Sequence, residues 1–150
     1  MHNKKTYNHP LAYNLYGLDK AKDNIAKMRT ALVLESEKAV AQCIGYLGKK
    51  NNIAVACCGS NLSKYQVQQL INCGAKNLVV GFDADYSHVM DEDYWKCTEK
   101  LSKIYYNYSA YINISFLLDK RGLVLKDKQS PTDLGKDVFM YLWENKVYVQ

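Results

Sequence analysis

Arginine is nearly absent from this chain: Arg29 and Arg121 stand against eighteen lysines. A net charge of +5 carried almost wholly by lysine is compatible with a polyanion partner, yet lysine also serves simply to solvate a surface. No run of basic residues exceeds two, so the charge permits a nucleic-acid partner without pointing to one. Also missing is any CxxC pair among the five cysteines, Cys43, Cys57, Cys58, Cys73 and Cys97. A zinc ribbon is therefore unsupported, and reduced thiols of a cytoplasmic protein are the plain reading. No apolar stretch approaches the roughly 18 residues of a membrane span, so no membrane partner is expected. The opening MHNKKTYNHP has two lysines with no apolar segment behind them, and a secretory signal is not expected. There is no internal repeat, low-complexity tract or linker, and 150 residues suffice for one compact domain with a real core.

What is present is an alternation of apolar runs and amphipathic stretches. Residues 11–28 read as a leading turn and then a helix, with Asp19 in its first turn or at its cap and Ala21, Ile25 and Met28 on one face. Residues 29–36 form a continuous apolar strand. The helix predicted over 37–50 repeats Ala39, Cys43 and Tyr46–Leu47 at three to four residues and meets Gly48 near its end. The cycle recurs with a strand over 53–58, a turn, and a helix that Ser63 caps and Gly74 closes. A third strand over 77–83, a helix over 91–108 and a fourth strand over 110–119 follow, and Pro131 introduces a last helix over about 132–143. Strands alternating with helices of this length imply crossover connections and a mostly parallel four-stranded sheet with helices on both faces, an α/β fold.

In such open sheets ligands bind beyond the carboxyl ends of the strands. Glu35 falls near the end of the first strand, Gly59 and Ser60 just past the second, and Asp83 with Asp85 at the end of the third. Two aspartates so close together repel unless a cation or a hydrogen-bond network offsets the charge. One glutamate and two aspartates make a hard oxygen site suited to Mg²⁺ or Mn²⁺, and a carboxylate such as Glu35 can alternatively serve as a general acid or base. Acidic residues also end strands merely as caps or solvated rim groups, and D-x-D spacing alone favours that plainer account.

Three segments taken together carry more. LVLESEKAV, AVACCGSNLS and LVVGFDADYS resemble, in this order, the Toprim domain of bacterial-type (DnaG-like) primases, topoisomerases and some nucleases. Upstream, NLYGLDKAKDNIAK is similar to the stretch leading into that domain in the primases. Downstream, LKDKQSPTDLGKDVF is similar to the acidic, proline-containing stretch and helix after its last strand. The resemblance runs from about residue 10 to 143. It implies an N-terminal segment over 1–28 leading into a Toprim catalytic domain over 29–150, with a Toprim-like (Rossmann-like) sheet. It places Glu35 at the family's glutamate and Asp83 and Asp85 at its metal-binding pair. Asp133 is the best match to an acidic residue of the third motif, Asp127 a weaker one, and Gly59–Ser60 matches a glycine-plus-hydroxyl turn.

The implied activity is a DNA primase: a metal-dependent nucleotidyltransferase, with Mg²⁺ or Mn²⁺, making RNA primers from ribonucleoside triphosphates on single-stranded DNA. A replicative helicase or a missing primase subdomain is the implied protein partner, and a phage or mobile-element source suits so divergent a core. A Toprim nuclease or phosphotransferase is the alternative enzyme, and a non-catalytic module binding nucleic acid or a replication partner the alternative outside catalysis. Departures from the pattern bear on this choice. Ser36 and Ala84 replace glycines, Ala39 stands where many primases carry a further aspartate, and the third motif keeps only part of its acidic character. Lys38, Lys49 and Lys50 could face phosphates, although solvated lysines are commoner. Tyr105, Tyr106, Tyr108 and Tyr111 either stack on bases or, the better account, pack between the third helix and fourth strand. His88 is expected as an exposed loop residue rather than a ligand, and Cys57–Cys58 as small apolar packing.

Overall fold

The computed structural model describes residues 14–149, so the first part of the segment expected over 1–28 lies outside the described residues. In chain order the elements are α1 (Leu18–Met28), β1 (Thr30–Leu34), α2 (Glu37–Leu47), β2 (Ala54–Ala56), α3 (Lys64–Asn72), β3 (Asn77–Gly81), α4 (Glu92–Tyr108), β4 (Asn113–Phe116) and α5 (Lys136–Glu144). A short 3₁₀ turn, Lys49–Asn51, follows α2. The four strands pair in the order β2-β1-β3-β4, all parallel. Ala31, Leu32, Val33 and Leu34 are all fully buried. Because successive strand side chains point to opposite faces, β1 is covered on both, as the unbroken apolar run requires.

The helices start and stop where short-range chemistry dictates. Ser36 caps α2 by accepting the Ala39 N–H at 3.1 Å. Ser63 and Gln66 form a reciprocal capping box on α3, and Asp91 caps α4 through the Tyr94 N–H at 2.7 Å. α1 is different: its N-cap is Gly17 in the left-handed region, and Asp19 contributes only first-turn charge. Of its expected apolar face, Ala21 and Ile25 are buried while Met28 is exposed. Gly81 carries a tight packing constraint. A Cβ there would come within 2.9 Å of a methyl of Leu34, its register partner on β1, and 3.1 Å of one of Leu117.

Two departures from the expected elements have clear causes. The fourth strand spans four residues rather than 110–119, since residues 110–112 turn beneath the end of α4 through the Tyr111 and Ile112 N–H bonds to the Tyr108 carbonyl. The last helix starts at Lys136, not near 132, because residues 130–133 are held as a turn by α2. Gln42 accepts from the Thr132 hydroxyl at 2.8 Å, the Tyr46 hydroxyl donates to the Thr132 carbonyl at 2.6 Å, and Lys38 pairs with Asp133 at 3.3 Å. These three residues recur every four positions and form one stripe of α2. The tyrosine seam also divides: Tyr105 and Tyr108 pack against the core, while Tyr106 and Tyr111 are exposed.

Candidate functional site

The strand order reverses at β1. From it the chain steps to β2 on one side, then returns to β3 on the other, and in a parallel sheet this reversal opens a crevice beyond the carboxyl ends of the two central strands. Glu35 is the first residue past β1, and Asp83 the second past β3. Their meeting is direct: Glu35 Oε2 accepts the Asp83 backbone N–H at 2.8 Å. Asp85 follows on the same rim, paired with the Lys128 ammonium at 3.2 Å. Asp133 arrives from the α2-anchored turn, where its Oδ2 accepts the Ser130 N–H at 2.8 Å.

The electrostatics show how crowded the rim is. Burial pushes the Glu35 carboxyl up to about 7; the hydrogen bond from Asp83 opposes this, while the charges of Asp83 and Asp85 add to it. Asp83 is also raised, first by burial and then by Asp133 and Asp85, with Lys38 and Lys128 acting in the other direction. Two lysines thus partly neutralise an acidic cluster whose members destabilise one another's charge.

The resemblance implies a divalent cation, and the donor set can be tested against it. Asp83 Oδ1 and Asp133 Oδ1 are both buried and accept no hydrogen bond; Lys38 stands near the latter as an ion pair outside hydrogen-bond geometry. A buried acceptor left unsatisfied costs roughly 1–3 kcal/mol, and a hard cation is a partner that removes that cost. All the donors are oxygens, as Mg²⁺ prefers. Among the described residues no three His, Cys, Asp or Glu side chains form a ready cation cage. Mg²⁺ commonly keeps several waters and takes one or two carboxylates plus substrate phosphates, so an open carboxylate pair fits it.

Other residues singled out in the sequence are distributed unevenly. Lys38 lies at the rim, on the first turn of α2, and is taken up by Asp133. Gly59 and Ser60 lie in the loop after β2, on the same sheet edge. Lys49 and Lys50 occupy the 3₁₀ turn that leads into β2, at the amino edge of the sheet, away from the carboxylates. His88 and Asp127 are exposed loop residues. Cys57 is buried, its thiol pushed up to about 12 by that burial, whereas Cys58 is exposed with φ 58°. Sequence reasoning missed Lys128. No local pattern connects it with Asp85, because the two meet only when the 126–129 turn bonds to Ala84.

The class defined by these features is a parallel α/β domain with an acidic rim at its topological switch point, and known structures show the same fold. No protein-family model matches the chain. The SPbeta prophage-derived uncharacterized protein YorJ of Bacillus subtilis (strain 168) is 31% identical over 150 residues, spanning 95% of this chain and 39% of that protein. The Aquifex aeolicus primase (zinc-binding and RNA polymerase domains) is similar with a TM-score of 0.63 at 21% identity, over 90% of this chain and 30% of that one. A DnaG primase catalytic domain bound to ssDNA gives 0.63 at 21%, covering 91% and 40%. The RNA polymerase domain of Mycobacterium tuberculosis DnaG, in complex with a double-stranded DNA oligomer with a 6-nucleotide overhang, gives 0.64 at 19%, again covering 91% and 40%. The chain has the Toprim-type fold of bacterial DnaG primase catalytic cores. It spans less than half the length of each of these proteins.

Proposed function

We propose that this chain is the nucleotidyltransferase core of a primase-type enzyme, joining ribonucleotides into RNA primers on a single-stranded DNA template during replication. The observation that carries the reading is the meeting of Glu35 with Asp83 at the β1–β3 switch point, beside an unsatisfied buried oxygen of Asp83. Asp83, with Asp133 and Asp85 beside it, would hold Mg²⁺ or Mn²⁺. When bound, such an ion would supply Lewis-acid stabilisation of the negative charge on the transferred phosphoryl group. Glu35, with a carboxyl that titrates near neutrality, is suited to take a proton from an attacking 3′ hydroxyl. Its bond from the Asp83 N–H fixes the carboxylate against the rim, so the base and the cation-binding residue keep one spacing. Dispersed lysines supply contacts to the template backbone, and ribonucleoside triphosphates are the substrates.

Two of the structural relatives are described as bound to DNA, which supports nucleic acid as the partner. The prophage origin of the Bacillus subtilis relative supports a phage or mobile-element source. Because the chain covers only part of each relative, a further primase subdomain or a replicative helicase is the protein partner to look for. The decisive assay is primer synthesis on single-stranded DNA by the longest natural form of the protein. Wild type makes primers with Mg²⁺ or Mn²⁺, and Glu35→Gln and Asp83→Asn each abolish synthesis. Synthesis by Glu35→Gln at the wild-type rate defeats the role given to that residue. One observation favours a second reading, a non-catalytic nucleic-acid-binding module: Ala39, at the start of α2, is fully buried and contributes no carboxylate. Wild type that neither synthesises primers nor cleaves phosphodiesters with metal supports that module. Cleavage without synthesis supports a Toprim nuclease.

A further inference from the structure

Two of the acids beside Asp83, Asp133 and Asp85, already have a cation. Lys38 Nζ stands 3.3 Å from Asp133 and Lys128 Nζ stands 3.2 Å from Asp85, while Asp83 Oδ1 has neither a hydrogen bond nor an ion pair. The two lysines are held differently. Lys38 rides on a helix and leaves Asp133 Oδ1 without a hydrogen bond; Lys128 makes a hydrogen bond to Asp85 Oδ1. Its backbone is placed for that contact. The Lys128 N–H donates to the Ala84 carbonyl, and the Ala84 N–H donates to the Gln129 carbonyl at 2.9 Å. The turn is closed in addition by the Lys126 N–H to Gln129 Oε1 at 2.8 Å and the Gln129 N–H to the Lys126 carbonyl at 3.0 Å. Ala84 lies between Asp83 and Asp85, so this turn is clamped onto the aspartate pair itself.

Lys128 also sits at φ 69°, a left-handed conformation that side-chain-bearing residues adopt rarely and at some cost. A long cationic side chain at that position is poorly explained by the turn, which glycine or asparagine would suit better. The contact that the side chain makes is Asp85.

We propose that Lys128 is a tethered cation for Asp85, so that the acidic rim accepts one divalent ion, centred on Asp83 and Asp133, instead of two. The inference rests on the metal-binding reading above and concerns how many ions the rim takes. A second ion at Asp85 has to displace an ammonium that is hydrogen-bonded there and whose main chain is anchored beside it, whereas an ion at Asp83 meets an acceptor with no competitor. Lys38 is the weaker competitor because it is not hydrogen-bonded to Asp133. Lys128 is accordingly a positioning residue: it fixes Asp85 and sets ion stoichiometry.

The test is Mn²⁺ titration of this chain, followed by the electron paramagnetic resonance signal of free Mn²⁺, with no activity required. An exposed ion pair contributes little to folding stability, so Lys128→Met stays folded, which its circular dichroism spectrum and Tm verify. Wild type titrates to one ion per chain. Lys128→Met titrates to two over the same range, the second ion gaining up to about fivefold in affinity, the most an exposed ion pair corresponds to. Lys128→Arg keeps one ion. Lys49→Met, which removes the same charge at the other edge of the sheet, also keeps one and so separates a local competitor from net charge. Asp83→Asn separates the metal site itself from the role of Lys128. If it binds Mn²⁺ as wild type does, or wild type binds none, the metal-site reading fails and this inference with it. If Asp83→Asn loses the ion but Lys128→Met still binds one with unchanged affinity, or wild type already binds two, the role of Lys128 alone is overturned.

Discussion

At the residue scale the crowding of Glu35 has a measurable consequence. Its carboxyl rises from 4.5 to about 7 through burial and the neighbouring aspartates, so between those values the folded chain holds a proton that the unfolded chain has lost. Stability from this group is therefore complete below about pH 4.5 and is lost as pH rises through 7. Half-buried, the group is screened by solvent, and the effect is about 1–2 kcal/mol. In metal-free buffer, urea unfolding of wild type from pH 5 to 8 should show this decline, and Glu35→Gln should flatten it. An unchanged slope in the variant places the titrating group elsewhere. Asp83 gives a complementary test. Asp83→Asn removes a charge that its neighbours disfavour, so the metal-free variant should be no less stable than wild type. Added Mn²⁺ should raise the Tm of wild type only, with a stabilisation of roughly 2.7 kcal/mol at a hundredfold excess over Kd. Equal shifts in both proteins would put the ion at another place.

At the scale of elements, the stripe of Lys38, Gln42 and Tyr46 joins the fold to the site. It fastens the 130–133 turn to α2, and Asp133 reaches the rim because that turn cannot join α5. Tyr46→Phe removes the 2.6 Å bond to the buried Thr132 carbonyl, leaving an acceptor unsatisfied at a cost of about 1–3 kcal/mol. Denaturant midpoints should fall accordingly, with Mn²⁺ affinity falling too as Asp133 loosens. A loss of stability with Mn²⁺ affinity unchanged would remove Asp133 from the ligand set. The central strands have their own sensitive position. Gly81→Ala drives a methyl into Leu34 and Leu117, which pack against it from β1 and from just beyond β4, and overpacking of this kind costs typically 1–3 kcal/mol. Because Gly81 lies two residues before Asp83, the same substitution should weaken the Asp83–Glu35 contact as well as the core.

Taken whole, the molecule is a sheet whose two outer strands are blunted. Tyr16 bridges Ala56 on β2, and Val147 bridges Phe116 on β4, each through a pair of backbone hydrogen bonds. These bridges occupy edge groups that would otherwise template pairing with another chain. Between the edges, the rim carboxylates Glu35, Asp83, Asp85 and Asp133 gather at one end of the sheet while Lys49 and Lys50 lie at the other, so the proposed metal binding and template binding should be separable. Affinity for single-stranded DNA should fall with added salt, as phosphate contacts demand. Asp83→Asn should leave that affinity equal or slightly higher, since it removes negative charge. Fluorescence anisotropy with a labelled oligonucleotide at several salt concentrations measures both. DNA binding weakened severalfold by Asp83→Asn would show instead that the rim itself contacts the template.

By itself the sequence determined the alternation of elements, the parallel sheet and the residues that end its strands. Those properties follow from local periodicity and short-range capping: the apolar run of β1 has to be covered on both faces, and Ser63 announces the helix it begins, whereas the caps Ser36 and Asp91 emerged only in the structure. Glu35, Asp83 and Asp85 could be named because a strand's end is a local property and topology sends parallel strands to the same edge. Tertiary structure alone decided what surrounds them. Lys128 meets Asp85 across 43 positions of sequence, and the α2 stripe reaches Thr132 across 86 and 90. The same long-range bonds override the helical start that Pro131 suggests, and α2 carries Lys49 and Lys50 to the far edge of the sheet. Pairings of that range depend on how elements pack, and no periodicity in the chain encodes them.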